Sequence, residues 1–440
     1  MNTPICDFVR RYAESHTLRL HMPGHKGQGP LGIEKLDITE ISGADSLYEA
    51  SGIIAQSEAN ASTLFCCPTF YSTEGSSQCI RAMLHLATMG RSRRVAATRN
   101  VHKTFLSAAA LLDLQVDWLY PEEYEAYLRC SVTAESLEAY FDSCAEIPAA
   151  VYVTSPDYLG NMLPIGDLAG VCHRHGSLLL VDNAHGAYLR FLPNSKFPMD
   201  LGADLCCDSA HKTLPVLTGG AYLHVRDEEL AMQAKNALAL FGSTSPSYLI
   251  LQSLDAANAI LADPAYIRKL VELSLQADGL RQRLTRHGIS AGLHDHEPLK
   301  VTVYPRLYGY TGTEMASHLR SHGIECEFAD PDFLVLMLTP AITENDLQRV
   351  ADVLTALPPR KSVSTDLPYI GRPERVLSIR DALLAPAETV PVEKSLGRVL
   401  ASPSVGCPPA VPIVVCGERI DENAIAVFRY YGIETCSVIL

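Results

Sequence analysis

The 440 residues predict an α/β protein: a large domain with a parallel-rich sheet, then a small α+β domain and a separate C-terminal module. Three observations carry this. Apolar strands alternate with helical patterns from about residue 60 to 225. After residue 262 the pattern changes to shorter strand and helix runs. Finally, ten of the 27 prolines fall in the last 83 residues, which open on a Pro358-Pro359 break.

Residues 1–59 read as an N-terminal arm with short helical pieces, since the Pro and Gly of HMPGHKG (21–27) forbid a long regular element. Residues 60–240 form the large domain. Its clearest unit is 149–186, where AAVYVTSP is an apolar strand stopped by Ser155-Pro156. Ile165, Leu168, Ala169 and Cys172 then mark one helix face, closed by His175-Gly176. Leu178 to Val181 form a continuous apolar strand ending at Asp182. Strand, helix and strand in that order, with doubly buried strands, predict a parallel sheet. Sites in such sheets form at the strands' carboxyl ends, where Asp182 falls.

Residues 241–357 hold a long buried helix (246–262) and the small domain. Its strands are LKVTVYP (299–305) and FLVLMLTP (333–340), and its helices are 313–323 and 343–357. Thr343 with Asp346 makes a capping-box variant for the last of these. Residues 358–440 are the C-terminal module.

The 36 basic against 50 acidic residues give −14, which argues against a nucleic-acid or anionic-membrane partner. No apolar stretch reaches the ~18 residues of a membrane span, and the start lacks a secretory pattern. Thirteen cysteines without a C-x-x-C pair suggest neither a disulfide scaffold nor a metal site. The expectation is a cytoplasmic protein with reduced thiols.

Three stretches carry chemistry: STEGSSQC (72–79), VDNAHGAY (181–188) and CDSAHKTL (207–214). A helix starting near Ser76 aims unpaired N–H groups at an anion, and its serines add donors. Asp182 could keep a ring nitrogen protonated, and Lys212 could supply an amine for a Schiff base. Pyridoxal 5′-phosphate (PLP) needs all three features. Each piece alone has an ordinary reading as an N-cap, a turn residue or surface decoration, and HKT occurs twice, at 102–104 and 211–213. The order of phosphate turn, Asp, then Lys about 30 residues later, ahead of a smaller domain, is much harder to obtain by chance.

With these motifs the chain resembles the PLP-dependent ornithine/lysine/arginine decarboxylases of bacteria, in the short form without the N-terminal wing domain. The likeness runs through HMPGHKG, residues 37–58, RNVHKTF (99–105), SPDYLGN (155–161), LLLVDNAHGAY, DSAHKTLPVLTGGAYLH (208–224), STSPSYLILQSLDAA (243–257) and the tail 397–420. It implies an aspartate-aminotransferase-like (PLP fold type I) architecture, with 60–240 as the PLP-binding domain and 358–440 as the family's C-terminal module. It also implies that Lys212, not Lys103, is the cofactor lysine and that His102 stacks on the ring. Ser76, Ser77 and Gln78 match the phosphate turn, with Ser209 and His211 as further phosphate contacts. Asp182 would hold the ring nitrogen's proton. His185 would meet the cofactor's phenolic oxygen or the substrate carboxylate. Lys212 or His211 would return a proton to Cα. A homodimer or higher homo-oligomer is implied, with Thr244 and Ser245 reaching the partner's cofactor.

Three departures stand out. Thr73 and Glu74 precede Gly75 where the family has an apolar-Asn-Gly sequence, so Glu74 is expected to face away from a phosphate. In the tail, Cys407 and Ala410 replace a Tyr and a Gly. Glu418 matches the glutamate of a Pro-Gly-Glu motif, with Cys416 at the Pro position. It is a candidate contact for a substrate's distal cation, with a surface-loop role as the alternative.

The function implied is decarboxylation of lysine, arginine or ornithine to a polyamine precursor through a Lys212 Schiff base, without a metal. The alternatives are another reaction on the same cofactor (an aminotransferase or a lyase) and a catalytically silent regulatory homologue. Arg306 and Arg320 lie where aminotransferases carry a carboxylate-binding arginine, but no motif assigns either.

Overall fold

A computed structural model describes the chain except residues 122–125, 293–295, 364–366 and 404–408, so Cys407 lies outside the described residues. The first half contains α1 (Pro4–Glu14), α2 (Ile53–Phe65), β1 (Thr69–Ser72), α3 (Ser76–Thr88), β2 (Arg94–Thr98), α4 (Lys103–Leu112), β3 (Gln115–Leu119), α5 (Ala134–Ser143), β4 (Ala150–Thr154), α6 (Ile165–Arg174), β5 (Leu178–Asp182), β6 (Leu205–Asp208), α7 (Ala210–Thr213) and β7 (Ala221–Val225). Then come α8 (Glu228–Ala239), α9 (Tyr248–Leu261), α10 (Pro264–Arg286), β8 (Ser290–Ala291), β9 (Lys300–Tyr304), α11 (Gly312–Ser321), β10 (Phe328–Ala329), β11 (Leu334–Met337), α12 (Glu344–Thr355), α13 (Ile379–Leu384), β12 (Ala387–Pro391), β13 (Leu400–Ser402), α14 (Glu422–Tyr430) and β14 (Thr435–Ile439). They fall into two compact units, Met1–Ser92 with Ile165–Arg268 and Arg93–Pro164 with Lys269–Leu440.

In the first unit the strands run in the order β1-β7-β6-β5. β5 and β6 are parallel, with Asp182 opposite Cys207. β7 is antiparallel to both β6 and β1. The reversal follows from the connection between β6 and β7, whose only helix is the four-residue α7, too short for a crossover. Helix α6 buries Ile165, Leu168, Ala169 and Cys172, the face its spacing predicts, and Gly176 follows at φ +73°. The predicted helix at 246–262 is α9.

The arm is more regular than expected, because α1 and α2 run 11 and 13 residues. The Asp255 carboxylate on α9 accepts the N–H groups of Ile5 and Cys6 at 3.0 Å each. It therefore caps α1 from about 250 positions away, a partner that no local pattern announces.

The second unit holds β4-β2-β3, with β2 parallel to both neighbours. The four-stranded antiparallel sheet β10-β11-β9-β8 carries the predicted strands, and α11 and α12 are the predicted helices. The Thr343–Asp346 capping box is present. Strands β12-β14-β13 form a third sheet in the tail. Among the described residues no helix is long and apolar enough to cross a membrane, and no group of three or more His, Cys, Asp or Glu is arranged to hold a metal.

Candidate active site

Local sequence brings most of the candidates in the first unit to one end of β5 and β6. Asp182 closes β5, is 2 % exposed, and its Oδ1 accepts the Ala184 N–H at 3.2 Å. The Cys207 thiol points at the same oxygen from 3.7 Å. Burial, and then the Asp182 charge, push that thiol's pKa well up, so it stays a neutral neighbour. After Asp182 the chain turns sharply, and Gly186 N–H closes the turn on Asn183 O at 2.7 Å. A Cβ on Gly186 would lie 2.0 Å from Asn183 Oδ1, so the turn requires glycine there. The turn presents His185, whose Nε2 is 3.0 Å from Lys212 Nζ.

Lys212 lies in α7, whose N-cap is Ser209. Ser209 Oγ donates to Ser76 Oγ at 2.7 Å, which joins the lysine-bearing turn to the first residue of α3. Gly75, at φ +71°, turns the chain into α3 and offers no side-chain cap. A 13-residue helix thus begins there with two serines, a site suited to a phosphate. The Gln78 side chain is engaged elsewhere: Oε1 accepts from Ser72, and Nε2 donates to Tyr48 and Leu238 O. The Glu74 carboxylate is engaged as well, with Oε1 accepting the Ser243 N–H. Thr244 and Ser245 are exposed in the loop that follows.

His211 Nδ1 is 3.0 Å from Gly220 O, and a carbonyl only accepts, so Nδ1 carries the proton. Burial, with a smaller contribution from Lys212, holds its pKa below the ordinary histidine value despite the Gly220 bond. His211 is therefore a neutral imidazole with its acceptor nitrogen at Nε2.

His102 and Glu418 belong to the second unit. His102 is the N-cap of α4, half-buried, with Nδ1 accepting the Thr104 N–H at 3.2 Å. Lys103 beside it is exposed, whereas Lys212 is partly buried, which separates the two HKT copies. Lys103 N–H bonds Ala410 O at 2.8 Å, so the tail packs on the start of α4. Ala410 has φ +59°, left-handed backbone of the kind that favours the Gly of the resembling family.

Glu418 is no surface-loop residue. It is 2 % exposed, with Oε2 2.6 Å from Arg99 Nη2 and accepting the Val415 N–H. Arg99 also lies over the Trp118 ring, 5.0 Å from its centre. Asn183, Asp208 and His224 were not singled out in the sequence. The available signal was a histidine inside the apolar strand AYLHV.

Comparison with known proteins is consistent along the whole chain. Residues 3–305 match the family model for the Orn/Lys/Arg decarboxylase major domain, and 375–435 match that family's C-terminal domain. An arginine decarboxylase of Halalkalibacterium halodurans is 30 % identical, covering 97 % of this chain and 93 % of its own. One of Bacillus subtilis is 29 % identical, covering 96 % and 92 %. In structure, the Francisella novicida lysine decarboxylase aligns with TM-score 0.84 at 17 % identity, over 100 % of this chain and 81 % of that one. The E. coli constitutive lysine decarboxylase gives 0.81 at 18 %, over 100 % and 82 %. A serine palmitoyltransferase of S. paucimobilis with bound PLP gives 0.57 at 15 %, over 71 % and 78 %. The architecture is that of the fold type I PLP enzymes.

Proposed function

The chain belongs to the Orn/Lys/Arg decarboxylase family, and we propose that it uses PLP to remove CO2 from a basic amino acid, yielding a diamine or agmatine-type polyamine precursor. The observation that carries this reading is that Asp182 ends β5 and Lys212 lies in the turn after the adjacent parallel strand β6, with His185 Nε2 3.0 Å from the lysine.

The residues present fit the cofactor. Lys212 would hold its aldehyde and Asp182 its ring nitrogen. The start of α3, with Ser76, Ser77 and Ser209, would hold its phosphate. When bound, PLP takes up the electron pair left on Cα as CO2 departs.

The protein's own groups do the rest. Asp182 is a buried counterion that favours the protonated ring nitrogen. His185 Nε2, 3.0 Å from Lys212 Nζ, would accept an N–H of the lysine and so aim it. His211 has its proton turned onto Gly220 O and an unprotonated Nε2, which makes it an acceptor. Lys212 is our candidate for the group that returns a proton to Cα.

The test is a product screen of the purified, PLP-supplemented protein with arginine, lysine and ornithine. The names of the curated relatives put arginine first. Release of CO2 and an amine supports the reading. A keto acid would point to transamination, and cofactor uptake without turnover to a silent homologue.

A further inference from the structure

Beneath the candidate site of the first unit lies a second set of polar groups that the proposed chemistry does not use. His224 is fully buried in β7, among the rings of Phe65, Phe197 and Tyr222. Its Nε2 is 3.1 Å from Asp208 Oδ2, and both side chains are inaccessible to solvent. Its Nδ1 is 3.0 Å from Thr69 Oγ1. That hydroxyl has one proton, and it is donated to Cys67 O at 3.0 Å. Nδ1 must then donate to Oγ1, while Nε2 donates to the carboxylate. A ring that donates from both nitrogens is an imidazolium. The other titratable groups facing it, among the described residues, are the Cys67 thiol, 3.9 Å from Nδ1, and the Tyr222 phenol, whose ring centre is 5.8 Å from that of His224. Burial alone would drive the proton off, but the Asp208 charge and hydrogen bond outweigh it and hold the pKa up to about 9.

The other oxygen of Asp208 links this pair to the site. Asp208 Oδ1 accepts from Asn183 Nδ2 at 2.7 Å. Asn183 follows Asp182, its N–H bonds Cys207 O at 3.0 Å, and its carbonyl closes the turn that carries His185. Asp208 itself is followed by Ser209, the N-cap of the Lys212 helix. One carboxylate therefore joins the two turns that bear Asp182, His185, Ser209 and Lys212.

We propose that Asp208 and His224 are positioning residues: a buried imidazolium–carboxylate pair that clamps Asn183 and so keeps the Asp182–His185 turn in register with the Lys212 turn. This deepens the reading of the site as a PLP centre and rests on it for the catalytic consequence, though not for the charge state. The positive ring also keeps Asp208 from standing as an unpaired second anion near Asp182.

Two measurements test it. The first needs neither cofactor nor turnover. Nitrogen NMR of ring-labelled histidine in the whole chain should show His224 protonated at both ring nitrogens at neutral pH, and losing that state in Asp208→Asn. A neutral His224 in the unaltered protein would overturn the proposal whatever the enzyme does. The second uses His224→Phe, which suits the aromatic surroundings, read below its unfolding temperature. The expected result is a fall in kcat of about tenfold or more per cofactor-loaded site, with KM within about twofold. The visible absorption of the bound cofactor should also shift in its pH profile. Adding Asp208→Asn to His224→Phe should restore most of kcat, since a neutral amide oxygen still accepts from Asn183. A lower melting temperature with unchanged kcat, KM and absorption would reduce the pair to a structural role and refute the proposal. An unaltered protein that neither binds PLP nor turns over would fail the functional reading alone, because the NMR result stands independently.

Discussion

Replacing Arg99 with Met removes the cation from a buried pair and leaves Glu418 behind. The two side chains are 4 % and 3 % exposed and 2.6 Å apart, so solvent screening does not soften the loss. Burial already raises the Glu418 pKa, and the Arg99 charge is the strongest influence opposing it. Without Arg99 the carboxyl escapes by taking a proton. From an ordinary value of 4.5, that costs about 3.4 kcal/mol at pH 7, at about 1.36 kcal/mol per unit. The expected destabilisation is therefore about 3–4 kcal/mol, within the range for breaking a buried pair. The sign of its pH dependence follows. The folded variant holds a proton that the unfolded chain releases, so the penalty shrinks toward pH 4.5 and grows above it. The chain's single tryptophan, Trp118, lies against Arg99 and makes urea unfolding of this unit directly readable by fluorescence. Arg99→Met with Glu418→Gln should recover much of the loss. A penalty below about 1 kcal/mol, or one constant between pH 5 and 8, would refute the reasoning.

Other outcomes follow from the same contacts. Lys212→Ala should abolish turnover and the visible absorption of bound PLP, and full activity in that variant would remove the lysine from its role. Asp182→Asn should keep some cofactor but lose most of kcat, checked by steady-state kinetics at saturating PLP. Asp330 is buried, which pushes its pKa up to about 7 from 3.8. Its folded form keeps a proton that the unfolded chain has lost, so its stabilising contribution is full at low pH and disappears as pH rises to 7. Asp330→Asn retains the acceptor for the Asp332 and Phe333 N–H groups. It should add about 1–3 kcal/mol at pH 8 and flatten the pH dependence, read by urea titration. Ala410→Gly should stabilise by about 1 kcal/mol, because Ala410 holds φ +59°, and the urea midpoint should rise accordingly.

Much of the fold was legible in the sequence because burial writes itself as periodicity. The helix face of Ile165, Leu168, Ala169 and Cys172, the continuous strand LLLV and the Thr343–Asp346 cap are statements about neighbouring residues. Asp182 at a strand end and a lysine in a turn after the next strand could be read the same way, since strand order determines which ends converge. Tertiary structure alone supplied the partners of buried charge. The cap on α1 comes from Asp255, the Glu418 carboxylate meets Arg99 rather than solvent, and Asp208 joins His224 to Asn183. A polar side chain in an apolar stretch shows that some compensating group must exist, because burying it alone costs too much. Which group compensates depends on segments from 16 to 319 positions apart being packed together, and no local pattern announces the partner.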